Sequence, residues 1–110
     1  MAEYPHMNLE KQLEDRMKFI RDISTQAPAG RKILDECLDI AELLIKKNNS
    51  YGSSYSHPIN IFSKSDPREQ IHIRIDDKLN RIKKGSEYPS EDTILDLIGY
   101  LVLLRTLDVK

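Results

Sequence analysis

Tryptophan is absent from this 110-residue chain, phenylalanine occurs twice and cysteine once. With so few large aromatic rings, a core has to be built mainly from leucine and isoleucine. The lone thiol, Cys37, excludes an internal disulfide and fits a reducing compartment; its apolar neighbours suggest a core position. Gly (4) and Pro (5) are also scarce, which leaves room for long helices. No apolar run reaches the roughly 18–20 residues that a membrane span needs, and Met1 to Glu10 lacks the basic-then-apolar layout of a signal peptide. An excess of one charge is missing too: 17 basic and 18 acidic side chains are interleaved, for a net charge of −1. That balance excludes a broad electropositive face for duplex nucleic acid but leaves room for a small basic site. The expectation is a cytoplasmic protein that engages neither membrane nor duplex nucleic acid, and the length suits a single domain over residues 1–110.

What the chain does have is helical periodicity, and no stretch alternates as a strand. The fold class expected is all-α with four helices. Over residues 8–25, Leu9, Leu13, Met17, Ile20 and Ile23 recur at three- and four-residue spacing and share a face; Pro28 and Gly30 are expected to end this helix. Over 31–47 a broad apolar stripe from Ile33 to Ile45 implies burial on more than one side. A loop of about eighteen residues follows, longer than structureless connections usually run. The third helix has Asp66 as N-cap, Pro67 at its first position, Glu69 three residues after the cap, and Gly85 as its stop; Ile71, Ile75, Leu79 and Ile82 should point inward. The fourth should start after Ser90 as N-cap and run to Leu107. It is apolar over most of its circumference, so it should be central or lie in an interface of a homo-oligomer.

Polar residues inside these helices carry the candidate chemistry. Asp96 stands alone among leucines and isoleucines, and a carboxylate in apolar surroundings neutralises, pairs with a cation or binds a metal. Asp92 lies one turn earlier on the same face, and Gly99 would admit a close neighbour at a cost of about 1 kcal/mol relative to alanine. Asp35, Asp39 and Glu42 share a face of the second helix. Packed against the fourth, it would gather Asp39, Glu42, Asp92 and Asp96 into a carboxylate cluster suited to Mg²⁺ or Mn²⁺. Arg74, Asp77, Lys78 and Arg81 form a stripe on the third helix that can hold phosphate or pair with Asp96. The loop residues Tyr51, Tyr55, His57 and Asn60 can stack on a base or bond to its edges. Each stripe also reads as an ordinary solvated face, and Asp96 as a structural partner of Lys78 or Arg81. There is no zinc spacing, Ser/His/Asp arrangement, phosphate-cradling glycine loop or dinucleotide fingerprint.

The stretch Asp92-Thr-Ile-Leu-Asp96-Leu-Ile-Gly-Tyr100-Leu-Val resembles the signature helix of the all-α nucleoside triphosphate pyrophosphatases, the MazG and dCTP pyrophosphatase group. Asp39-Ile-Ala-Glu42 stands where that group carries Glu-x-x-Glu. A closer resemblance is to the phage and prophage domain called nucleotide modification associated domain 1. It is carried by Lys47-Asn48-Asn49-Ser50-Tyr51-Gly52, by Arg74-Ile-Asp-Asp77-Lys78-Leu-Asn-Arg81, and by Glu91-Asp92 through Tyr100. The resemblance implies a MazG-like helical bundle with its family-like core over 31–107. It also implies a small-molecule nucleotide as ligand, Mg²⁺ on Asp39, Glu42, Asp92 and Asp96, and hydrolysis between the α- and β-phosphates. Lys47, Tyr51, Asn60, Arg74, Lys78 and Arg81 would hold the nucleotide. The chain departs from the pattern at Asp39 and Asp92, where Glu is favoured, and at Ser50, where Asp is usual. Two other readings stay open: a phage protein that captures a host-defence nucleotide in the host cytoplasm without turnover, and a helical interaction protein.

Overall fold

The computed structural model describes residues 8–61, 63–85 and 89–108. Among these residues the structure is all-α, with α1 at Leu9–Ile23, α2 at Gly30–Tyr51, α3 at Pro67–Lys84 and α4 at Thr93–Thr106. The chain divides into two compact units, Met1–Ala41 and Glu42–Lys110. None of the described helices is long and apolar enough to cross a membrane.

In the first unit, Asn8 caps α1, its side-chain oxygen accepting from the Lys11 backbone N–H at 2.7 Å. Lys11 reaches Asp15 one turn on at 3.1 Å, and that carboxylate raises the Lys11 ammonium above its ordinary range. At the other end the Ser24 hydroxyl donates to the Arg21 carbonyl at 2.6 Å, and Ser24 is buried. Gly30, which reads in sequence as a stop for the first helix, instead opens α2. A Cβ there would lie 2.3 Å from the Ser24 carbonyl oxygen, so only glycine lets the chain turn this tightly.

The second unit is built on an antiparallel pair, α3 and α4, whose backbones pack closely. Local chemistry sets the bounds of α3: the Asp66 carboxylate accepts from the Glu69 N–H at 2.8 Å, Pro67 follows, and the Gly85 N–H closes the last turn onto Arg81 and Ile82. Helix α4 begins later than Ser90. Its N-cap is Asp92, whose carboxylate accepts from the Leu95 N–H at 2.9 Å. Either residue can cap; Asp92 does so because the helical turn begins at Thr93.

Helix α2 runs one turn beyond the expected Lys47, to Tyr51, and the chain leaves it through two residues of positive φ, Gly52 and Ser53. The connection to α3 is therefore shorter than the sequence suggests and starts with turns.

Burial is sparser than the periodicity implies. Among the described residues Ile71 is the one buried large apolar side chain, while Leu79 and Ile82 of its expected inward face stay exposed. Helix α4 buries Thr93 and Gly99 but leaves Ile94, Ile98, Leu101 and Val102 open. Cys37, expected in a core, is exposed. A helical stripe identifies which residues share a side, not how much of that side another element covers.

With its cap removed, the first turn of α3 loses one satisfied donor. Asp66→Ala should lower stability by about 1 kcal/mol in urea unfolding followed by circular dichroism, with little change for the exposed Lys64→Ala.

Candidate functional site

Three ion pairs tie α3 to α4 and its flanks in antiparallel order. Arg68 at the start of α3 meets Asp108, Lys78 at its middle meets Asp96, and Arg81 near its end meets Glu91. The middle pair answers why a carboxylate interrupts the apolar run of α4. Lys78 Nζ lies 3.3 Å from Asp96 Oδ2, and the lysine side chain is 10% exposed against 30% for the aspartate. An ammonium that far from water needs a counter-charge, and Asp96 supplies it. Arg81 is shared between Glu91 and Asp77, the latter at 3.5 Å. The basic stripe read from sequence is thus divided: Lys78 and Arg81 are engaged in ion pairs, whereas Arg74, one turn earlier, makes none among the described residues.

On the side where α4 carries Gly99, the end of α2 closes a cavity of about 490 Å³ within the second unit. Leu44 makes the contact. Its Cδ2 would lie 3.1 Å from a Cβ at position 99, so the glycine lets the two helices approach. Leu43, Leu44, Lys47, Asn48 and Tyr51 line one wall, Gln70, Ile71 and Arg74 a second, and Leu95, Asp96, Gly99, Tyr100 and Leu103 a third; Ser54 and Tyr55 stand at the turn. The volume lies in the range of small-molecule sites, and the lining matches their composition of mainly apolar walls with a few polar groups.

Those polar groups are of three kinds. Lys47 and Arg74 are exposed cations with no ion pair among the described residues. Tyr51, 66% exposed, and Tyr100 offer ring faces. Asn48 Oδ1 is buried and has no hydrogen-bond partner among the described residues. A buried acceptor left unpaired costs about 1–3 kcal/mol, so this oxygen favours a ligand that brings a donor. The Tyr55 hydroxyl is 2.8 Å from Thr106 Oγ1, and Thr106 in turn donates to the Leu103 carbonyl at 2.6 Å. This chain fixes the turn after α2 against the end of α4.

The other residues expected in a site are placed as follows. Asp39 and Glu42 are exposed on α2, Asp39 in the first unit and Glu42 at the start of the second. Asp92 is engaged as the cap of α4, and Asp96 with Lys78. Among the described residues no group of three or more His, Cys, Asp or Glu side chains is placed to hold a metal ion. Asn60, with a φ of 52°, accepts from Gln70 Nε2 at 3.1 Å, while the same amide donates to the Ser65 carbonyl at 2.9 Å. Asn60 therefore organises the connection rather than lining the cavity. The Ser56 hydroxyl is 3.0 Å from His57 Nδ1. Sequence reasoning did not single out Asn48, Gln70 or Tyr100 as ligand contacts. Asn48 had a signal, its place directly after Lys47 in a helix-ending motif.

Compared with known proteins, the chain matches no family model, no curated protein and no solved structure.

The Lys78–Asp96 pair predicts an asymmetry. Asp96→Asn leaves a nearly buried ammonium without its carboxylate and should cost roughly 1–3 kcal/mol. Lys78→Met leaves the better solvated partner behind and should cost less, as read from paired urea unfolding curves.

Proposed function

We propose that the second unit, Glu42–Lys110, binds a nucleotide in the cavity bounded by α2, α3 and α4. The observation that carries this reading is the combination of lining groups around one space of about 490 Å³: two cations without an ion pair among the described residues, the rings of Tyr51 and Tyr100, and a buried acceptor with no donor among the described residues. Lys47 and Arg74 take the phosphates, Arg74 as a planar fork and Lys47 as a point charge. Tyr51 and Tyr100 flank the base. Asn48 Oδ1 accepts from an exocyclic amino group of the base or from a sugar hydroxyl. The resemblance to nucleotide modification associated domain 1 supports the same ligand class through Lys47, Asn48, Tyr51 and Arg74.

Capture without turnover is the reading the geometry favours, since the carboxylates that would hold Mg²⁺ are engaged elsewhere: Asp92 with a backbone N–H and Asp96 with Lys78. A second reading, Mg²⁺-dependent hydrolysis of a nucleoside triphosphate, draws on one observation. Asp96 lines the same cavity as Arg74 and Lys47, and its side chain is 30% exposed. This reading would require Asp92 and Asp96 to leave their present partners, with Glu42 of α2 as a third carboxylate.

Calorimetric titration with nucleoside mono-, di- and triphosphates, with and without Mg²⁺, tests both readings. The expected result is binding that survives chelation of divalent cations and weakens about tenfold or more on Arg74→Ala or Lys47→Ala, about 1.4 kcal/mol each. Asn48→Leu should narrow the spread of affinities among the bases. Release of pyrophosphate in the same samples would select the hydrolytic reading, and absence of binding at millimolar nucleotide would end both.

A further inference from the structure

Hydrogen bonds made inside the second unit fix which polar groups of the cavity lining can still donate. The Gln70 amide nitrogen carries two hydrogens, and both are taken, one by Asn60 Oδ1 at 3.1 Å and one by the Ser65 carbonyl at 2.9 Å. A carbonyl oxygen only accepts, so the Ser65 contact also fixes which end of the amide is nitrogen. What Gln70 has left is its acceptor, Oε1.

The same reasoning decides Tyr55 through Thr106. The Thr106 hydroxyl has one hydrogen and gives it to the Leu103 carbonyl at 2.6 Å, so in the 2.8 Å contact with Tyr55 the phenol is the donor. The Tyr55 oxygen then has no hydrogen left and can only accept. Asp96, a carboxylate paired with Lys78, also only accepts. Among the lining residues, Tyr55, Gln70 and Asp96 therefore have acceptors to offer and no free hydrogen, and Asn48 adds a buried Oδ1 with no donor among the described residues. The hydroxyls of Tyr51, Ser54 and Tyr100 adapt to either role. The fixed donors that remain are the Asn48 amide nitrogen and the cations Lys47 and Arg74, and the phosphates of a nucleotide occupy the cations.

Such a lining distinguishes bases by one substituent. Adenine and cytosine carry an exocyclic amino group where hypoxanthine and uracil carry a carbonyl oxygen. The amino group gives Asn48 Oδ1 its missing donor and has a second hydrogen for the acceptor-rich lining, whereas a sugar hydroxyl has one. A carbonyl in the same place sets oxygen against oxygen and leaves both unsatisfied. We propose that the cavity selects nucleotides whose base is amino-substituted, adenine or cytosine, over the oxo-substituted hypoxanthine and uracil, with Asn48 Oδ1 as the selecting atom. This selectivity rests on the nucleotide reading of the same cavity and names the substrate class within it.

The test is calorimetric titration of the full-length chain with two matched pairs, AMP against IMP and CMP against UMP, and with dAMP, which lacks the 2′-hydroxyl. Within each pair the phosphate and sugar are identical and the rings nearly so. AMP and CMP should each bind at least about tenfold tighter than their partners, and dAMP within about threefold of AMP. In Asn48→Leu, with helix content checked by circular dichroism, both ratios should fall to about twofold or less; if that variant does not fold, the wild-type ratios decide. Equal affinities within each pair, unchanged ratios in folded Asn48→Leu, or a loss from AMP to dAMP that exceeds the loss from AMP to IMP would each overturn the selectivity and leave the nucleotide reading in place. Tighter binding of IMP and UMP would do the same, showing that the Asn48 amide presents its nitrogen. Absence of binding by all five nucleotides at millimolar concentration would end both.

Discussion

The Lys78–Asp96 ion pair is the constraint on which the second unit depends. An ammonium only 10% exposed tolerates its position because one carboxylate of the opposing helix reaches it, and that requirement admits only one register of α3 on α4. The outer pairs, Arg68 with Asp108 and Arg81 with Glu91, fall into place once the centre is set. The register has a consequence for the site. It turns Arg74, one turn before Lys78, toward the cavity without a partner, and it places Gly99 and Tyr100, the turn after Asp96, on the cavity wall. One charge pair thereby separates the cations that hold α3 on α4 from Arg74, which makes no ion pair among the described residues.

Gly99 and Asn48 show how the cavity uses features that would otherwise be liabilities. A glycine inside a helix weakens it by roughly 1 kcal/mol, and a buried acceptor without a donor costs about as much or more. Both stand on the lining of one space, the glycine where Leu44 comes close and the asparagine one residue beyond Lys47. Local costs of this kind gather where a molecule recognises something outside itself.

The two units share a shortage of covered apolar surface. Isoleucine and leucine make up the periodic stripes of every helix, yet Ile71 is the one large apolar side chain buried among the described residues. Hydrophobic burial is the main favourable term in folding, so stripes left open in one copy are places where a further surface contributes stability.

The sequence by itself determined the elements: four helices, the cap Asp66, Pro67 at the head of α3 and Gly85 at its end. Each depends on residues within one or two turns of one another, so a linear reading captures it. It also isolated Asp96 as a charge in need of a partner and named Lys78 among the possibilities. The tertiary structure alone decided that Lys78 rather than Arg81 takes that role, and that Cys37, Leu79 and Ile82 stay exposed. The reason is physical: periodicity reports which side chains share a face, whereas burial, pairing and the lining of a cavity depend on the distance to elements far away in the chain.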